Sequence, residues 1–367
     1  MRAPILHVIP FLWSGAGGVL TRLCEDQARG GPVAIVTTGT SGSQPDWKTY
    51  RARLRRAGVS HYTIDFYRRD QATFWSSTAR LARLIAKLQP GVIHAHAGVP
   101  ACGAAIARQM SGLRPRLIGQ MYSWGPDRPP WMDDQDFWGF AQCDRVVCSA
   151  KAYWDLLVAG GVAARKLTYL PWGLPLEQLP DRGERAVTAG APVLGCVGRI
   201  EPRKGQLALV KAFAELRQRH PGARLELVGP IADARYAAEV RAAVRHARLS
   251  HAVEMTGPVA DAAARMRGWD LFVSMSSDEG QGLAVLEAMA LGVPVLARPV
   301  AGITDFLRPG RTGYALEHLS ARGTAAVLAA TLAAPDLAAT TRRARRMVER
   351  RYSWTATAAA FERLYDR

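Results

Sequence analysis

Apolar and polar positions alternate along this chain in two ways. Short runs of Val, Ile and Leu are separated by longer stretches whose apolar residues recur three and four positions apart. The first kind predicts strands buried on both faces, and the second predicts amphipathic helices. In the first half the pattern predicts strands at 5–11, 32–38, 62–66, 92–97, 116–122, 145–149 and 167–170, with helices at 19–29, 78–88 and 101–110. A stretch rich in Pro, Gly and charge follows at 175–192. The alternation then restarts with strands at 192–198, 224–229, 253–256, 271–274, 294–297 and 313–316. This is an α/β chain of two doubly wound, Rossmann-like domains. Residues 1–175 form the first, 176–191 a linker and 192–345 the second, and 346–367 supply a C-terminal helix that packs back on the first domain. Domains of this kind facing each other across a cleft hold a ligand outside the carboxyl ends of their strands.

The length of 367 residues agrees with two domains at roughly 150 residues each. No apolar run reaches the roughly 20 residues of a membrane-spanning helix, and the start Met1–Arg2–Ala3–Pro4 reads as the approach to a strand, not a signal peptide. Five cysteines without a CxxC pair point to reduced thiols and a cytoplasmic setting. Charge changes the picture more. With 48 Lys+Arg against 31 Asp+Glu, the net charge of +17 favours anionic partners: nucleic acid, phosphorylated metabolites or acidic lipid. Arginine is dense at Arg51, Arg53, Arg55 and Arg56, at Arg68 and Arg69, and at Arg342, Arg343, Arg345, Arg346, Arg350 and Arg351. These runs lack the aromatic interleaving of a single-strand platform and any nucleic-acid-binding motif, so no nucleic-acid partner is expected. A basic nucleic-acid-binding protein is the alternative from another class.

Three stretches carry chemistry. In 271–295 a strand ends at Ser274, a polar loop runs through Ser276, Ser277, Asp278, Glu279, Gly280, Gln281 and Gly282, and a helix begins near Leu283 and stops at Gly292. Gly280 and Gly282 allow close backbone approach, and the helix start offers N–H groups to phosphate or sugar oxygens. Glu279 and, eight residues later, Glu287 can border one pocket and accept bonds from paired hydroxyls. In 193–205 a strand ends at Gly198, and Arg199 and Lys204 follow in a short loop, where a guanidinium and an ammonium can bracket a diphosphate. Ser14–Gly15–Ala16–Gly17–Gly18 is a strand–glycine–helix turn, but its spacing is not GxGxxG and no ribose-binding acid follows at the expected distance.

These elements, in this order, resemble the retaining GT-B glycosyltransferases of family four, over nearly the whole chain. The matching features are the Gly17–Gly18 turn, the loop with Gly198, Arg199, Lys204 and Gly205, and the pair Glu279 and Glu287 with the following EAMALGVPV. Ala301–Gly302–Ile303–Thr304–Asp305, Gly310–Arg311–Thr312–Gly313, and Tyr352–Ser353–Trp354 with Leu364–Tyr365 are smaller echoes. The resemblance implies transfer of a sugar from a nucleotide-sugar donor to an acceptor hydroxyl, with retention and without a metal or other cofactor. Catalytic residues would be Arg199 and Lys204 on the departing diphosphate and Glu279 on the donor sugar. Gly17, Gly18, Gly280, Gln281, Gly282 and Leu283 would contact the donor, Glu287 its ribose, and the backbone at 255–259 its base. Combined with the charge, a lipid-linked acceptor and a peripheral position on the anionic inner face of a membrane are expected.

The sequence departs from that family at several points. Gln120–Met121–Tyr122–Ser123–Trp124 stands where a histidine lines the sugar site, which makes Tyr122, Trp124 and His96 candidate acceptor or sugar-site residues. Pro171–Trp172–Gly173 and Glu279–Gly280–Gln281–Gly282 each change one residue of the usual pattern. His94 and His96 share a strand face with no third ligand apparent from the sequence. Asp134 and Asp136 form a DxD in an aromatic, helix-like segment, which leaves a GT-A-like, metal-dependent transferase as a second alternative. The tryptophans from Trp124 to Trp138 are candidates for an acceptor groove.

Overall fold

The computed structural model describes residues 3–39, 47–66, 70–124, 130–317 and 320–366. Arg68 and Arg69 lie outside them. The chain forms two compact units, Met1–Trp172 with Thr357–Arg367, and Gly173–Ala356.

The first unit runs β1 (Ile5–Val8), α1 (Ser14–Ala28), β2 (Val33–Thr37), α2 (Trp47–Arg56), β3 (Ser60–Thr63), α3 (Gln71–Leu88), β4 (Val92–His96), α4 (Gly98–Met110), β5 (Arg116–Met121), α5 (Pro130–Gln142), β6 (Arg145–Cys148), α6 (Ala152–Ala159) and β7 (Leu167–Tyr169). Its strands pair in parallel in the order β3-β2-β1-β4-β5-β6-β7. The central strands are buried throughout, which is why they read as unbroken apolar runs. β1 ends at Val8, short of the predicted 11, and β3 is displaced from where the apolar pattern put it. Ile64 and Phe66 are buried, yet the ladder holds the polar edge Ser60–Thr63 instead, through the pairing Ala34↔Ser60. Burial and strand pairing are separate requirements, and at an edge they diverge.

The second unit runs β8 (Val193–Val197), α7 (Gln206–Arg217), β9 (Arg224–Val228), α8 (Ala234–His246), β10 (Val253–Gly257), α9 (Ala262–Met266), β11 (Leu271–Ser274), α10 (Leu283–Ala290), β12 (Val295–Ala297), β13 (Tyr314–Ala315), α11 (Ala321–Leu332) and α12 (Leu337–Arg351), with α13 (Trp354–Asp366) ending the chain. Its parallel strands take the order β10-β9-β8-β11-β12-β13. One apolar cluster centres on Leu209, Phe213, Leu225 and Val273, a second on Trp269, Phe272, Leu286 and Met289. Each covers one side of the sheet.

Three expectations shift. Helix α1 starts at Ser14, five residues before Val19, so Gly17 and Gly18 lie in its first turn. The stretch read as a linker is packed onto the second unit. Arg182 N–H donates to Leu291 O at 3.1 Å and its guanidinium to Gly292 O at 2.9 Å, while Asp181 pairs with Arg345 at 3.2 Å. Finally, the return to the first unit comes at Thr357 and not at residue 346, because α12 belongs to the second unit. There Phe361 stacks on Trp172 with centroids 4.9 Å apart, and Tyr365 Oη meets His94 Nδ1 at 2.5 Å.

Candidate active site

In the second sheet the chain winds outward from β8 to β10, then returns to add β11, β12 and β13 on the other side. The loops leaving β8 and β11 therefore diverge to opposite faces at the switch point, where doubly wound sheets bind ligands. Both basic residues and both carboxylates singled out in this half lie on these loops or on the helix that follows.

After β8 the chain makes a single turn at Pro202–Lys204, and Gly205 then takes φ +69 before α7. A side chain at Gly205 would stand 2.8 Å from Met275 O, so the two loops touch backbone to backbone. Lys204 lies over Gly198 and its Nζ donates to Glu279 Oε1 at 2.5 Å, an oxygen that also accepts Ser276 Oγ at 2.7 Å. Arg203 donates to Asp278 O at 2.9 Å and to Glu201 Oε1 at 3.1 Å, and Ser277 N–H returns to Arg203 O at 2.9 Å. Arg199 shares Glu201 Oε1 at 2.9 Å. The structure thus joins Lys204 to Glu279 directly, and Arg199 to the same assembly through Glu201 and Arg203. The sequence reading did not single out Arg203 or Glu201, and it gave Ser276 and Asp278, named in the polar loop, no partner. All four lie within three residues of Arg199, Lys204 or Glu279, but nothing in their spacing announces who bonds to whom.

Beyond Glu279, Gly280 and the buried Gln281 lead to Gly282, which takes φ +79 as the N-cap of α10. The loop is held from behind by the turn after β12. Gly302, at φ +79, lies so close that a Cβ there would stand 2.8 Å from Glu279 O and 3.0 Å from Gln281 N. Leu283 opens the helix, and Glu287 follows just over one turn later. The Glu287 carboxyl is half-buried, and burial pushes its pKa up to about 7; among the described residues no hydrogen bond or ion pair offsets it. An under-solvated carboxylate of this kind is a strong acceptor for two neighbouring hydroxyls.

The remaining candidates lie in the first unit. Gly17 and Gly18 have a packing reason to be small. A Cβ at Gly17 would stand 2.9 Å from the Leu12 backbone and 3.0 Å from the Tyr50 ring, and one at Gly18 would stand 3.2 Å from Tyr50 Oη. Tyr122 Oη meets His96 Nδ1 at 2.9 Å, and the Tyr122 ring stacks on Trp172 with centroids 6.0 Å apart. His96 Nε2 meets His7 Nδ1 at 3.0 Å, and His7 Nε2 meets Gln27 Oε1 at 2.8 Å. The amide oxygen only accepts, so with neutral rings every proton is fixed: His7 Nε2–H to Gln27, His96 Nε2–H to His7, and Tyr122 O–H to His96. Burial keeps the rings neutral, lowering His7 to about 4 and His94 and His96 well below the usual histidine value. His7, brought opposite His94 by the β1–β4 register, is the third imidazole that the sequence did not reveal. The His7–His96 separation of 3.0 Å is that of a hydrogen bond, whereas two nitrogens on a tetrahedral zinc stand about 3.4 Å apart.

Trp124 stacks on Phe137 with centroids 4.6 Å apart, while Trp131 and Trp138 are 51% and 43% exposed. Asp134 and Asp136 fall on α5, where positions two apart point to different sides. Asp134 is exposed and Asp136 is buried against Gly98, so the pair cannot grip one metal ion.

Known proteins match both halves of the chain. Residues 13–178 match the family model described as Glycosyltransferase Family 4, and residues 191–334 match that described as Glycosyl transferases group 1. A D-inositol 3-phosphate glycosyltransferase of Segniliparus rotundus is 30% identical over 228 residues, 59% of this chain and 51% of that protein. A glycogen synthase of Mycobacterium tuberculosis is 26% identical over 290 residues, 76% of this chain and 69% of that protein. The chain thus spans about half the length of the first of these relatives. Among solved structures, Anabaena HepE in complex with UDP and glucose superposes with a TM-score of 0.82 at 17% identity, covering 100% of both chains. Sucrose-phosphate synthase from Thermosynechococcus elongatus does so with a TM-score of 0.81 at 20% identity, covering 100% of this chain and 98% of that one. Its paired domain matches, the acid–basic loop pair at the second switch point and its two Rossmann-like units together make this chain a member of the family-four glycosyltransferases of the GT-B fold.

Proposed function

We propose that the protein transfers a sugar from a nucleotide-sugar donor to an acceptor hydroxyl with retention of configuration, and that the second unit holds the donor. The carrying observation is the contact of Lys204 with Glu279 at the switch point, beside a helix that bears the half-buried Glu287. In this reading Lys204 and Arg199 face the diphosphate, Glu287 accepts from the ribose hydroxyls, and Glu279 with the backbone of Gly280, Gln281, Gly282 and Leu283 receives the donor sugar. As the bond from the anomeric carbon to the phosphate oxygen breaks, that oxygen keeps the electron pair and gains charge. The acceptor oxygen then bonds to the same face of the carbon and passes its proton to the departing phosphate. Fixed cations stabilise this step by on the order of 3 kcal/mol for a key donor. No protein nucleophile and no metal is required. The UDP complexes of structural neighbours support a nucleoside diphosphate donor, with UDP-glucose as the first to try.

Lys204→Ala should cut turnover by about a hundredfold with the fold intact, as 3 kcal/mol implies. Thermal-shift screening against UDP-, GDP-, ADP- and dTDP-sugars identifies the donor. Near-normal donor hydrolysis in Lys204→Ala would remove the leaving-group role.

The acceptor side of the reading is a lipid-linked hydroxyl reached from the inner, acidic face of a membrane. Supporting it, α2 presents exposed Lys48, Arg51, Arg55 and Arg56, while only Arg53 turns inward, to Glu25 at 2.6 Å. Among the described residues no single helix is long and apolar enough to cross a membrane. The protein should cosediment with vesicles containing acidic lipid at low salt and be released at high salt. Equal partitioning onto neutral vesicles rejects this part.

A further inference from the structure

The cation assigned above to the diphosphate already has a counter-ion. Lys204 and Glu279 are only 14% and 12% exposed and stand 2.5 Å apart, so their attraction is weakly screened. The contact is built in. Ser276 Oγ holds the same carboxylate oxygen at 2.7 Å, and Arg203, bonded to Asp278 O at 2.9 Å, fixes the spacing of the two loops. Any anion that approaches Lys204 therefore competes with a carboxylate that cannot swing away into water.

We infer, on the reading of this site as a nucleotide-sugar site, that Glu279 is an internal competitor for Lys204 that selects sugar-bearing diphosphates over bare ones. A bare diphosphate ends in a phosphate monoester carrying nearly two negative charges at neutral pH, and it brings no hydroxyl to Glu279. It must loosen the ion pair and then sit beside the uncompensated carboxylate. A sugar diphosphate is a diester with one charge fewer at that phosphate. Its sugar hydroxyls donate to Glu279, so the carboxylate keeps its partners while the ammonium turns to the phosphate. The same asymmetry operates after transfer. Once the sugar has left, the terminal phosphate releases the acceptor's proton to solvent and stands as a dianion next to Glu279, which favours release of the product.

Calorimetric titration of the whole chain with inorganic pyrophosphate, UDP and UDP-glucose tests the idea in the wild type, Glu279→Gln, Glu279→Asp and the double variant Glu279→Gln/Lys204→Ala. Glu279→Gln should bind pyrophosphate and UDP about tenfold tighter than the wild type, and the gain should vanish in the double variant. Glu279→Asp keeps the charge but draws it back by one methylene, and should fall between the two; it gives the answer if Glu279→Gln does not fold. Pyrophosphate binding that is unchanged or weaker in both single variants overturns the inference, even if the wild type binds UDP-glucose well. Failure of the wild type to bind any sugar nucleotide would instead reject the donor-site reading, and the pyrophosphate titration would still decide whether Glu279 competes for Lys204.

Discussion

At the residue scale, burial is the dominant effect at Glu287. Its carboxyl titrates near 7 in the folded chain against 4.5 for the ordinary group. Because the folded pKa is raised, the folded state binds more protons between those values, and stability falls as pH climbs from about 4.5 to 7. Glu287→Gln removes a charge that folding disfavours. It should raise stability at pH 8 by on the order of 3 kcal/mol, with little effect at pH 4.5, read from Tm at both pH values. The same variant should weaken donor binding, and donor affinity in the wild type should rise through pH 7 as the carboxylate forms. A pH-independent stability difference would mean the group is solvated. Glu287 and Glu279 were both legible from their positions on a glycine-flanked loop and helix. Their opposite circumstances, one without a partner among the described residues and one bonded to Lys204 and Ser276, were not, since each depends on what the fold lays beside it.

At the element scale, the site is a stack of three loops following β8, β11 and β12, and glycines set how closely they approach. Gly302 combines φ +79 with backbone contact to the 279–281 segment. Gly302→Ala adds strain in the left-handed region and a methyl group within 3 Å of two main-chain atoms, neither of which can yield cheaply. We expect a loss of about 2 kcal/mol in denaturant unfolding and a rise in donor KM larger than the fall in kcat. A variant with wild-type stability would place the turn elsewhere in solution. Helix α10 was read correctly at Leu283, because Gly282 and Gly292 mark its two ends. Helix α1 was not. Gly17 and Gly18 look like a loop, and it is the Leu12 backbone and the Tyr50 ring on α2 that show why a helix there needs residues without side chains. For the same reason the DxD of α5 resembled a metal motif until the helix separated its two carboxylates.

At the scale of the whole molecule, the two units respond to acid in opposite senses through these groups. The folded pKa values of His7, His94 and His96 are depressed, so the unfolded chain binds more protons below 6.5 and the first unit loses stability as pH falls. For His7, whose value falls to about 4, this costs about 2 kcal/mol between pH 6.5 and 5. Through Glu287 the second unit gains throughout that range. Hydrogen exchange at pH 5 and 7.5 should show protection of β4 falling on acidification while that of α10 holds or rises. Parallel loss in both would show that other titrations dominate.

The sequence by itself determined the alternation of strands and helices, the restart that makes two domains, and the two basic and two acidic residues on which the proposed site rests. Those features are local, because strand burial on both faces and glycine at left-handed positions leave their mark on consecutive residues. The tertiary structure alone decided which partners meet: His7 with His96, Tyr365 with His94, Arg203 with Asp278 and Lys204 with Glu279. These pairs lie 75 to 271 residues apart in the chain. They are set by strand order and register, which assemble only when the sheet closes, and no spacing within a single segment records them.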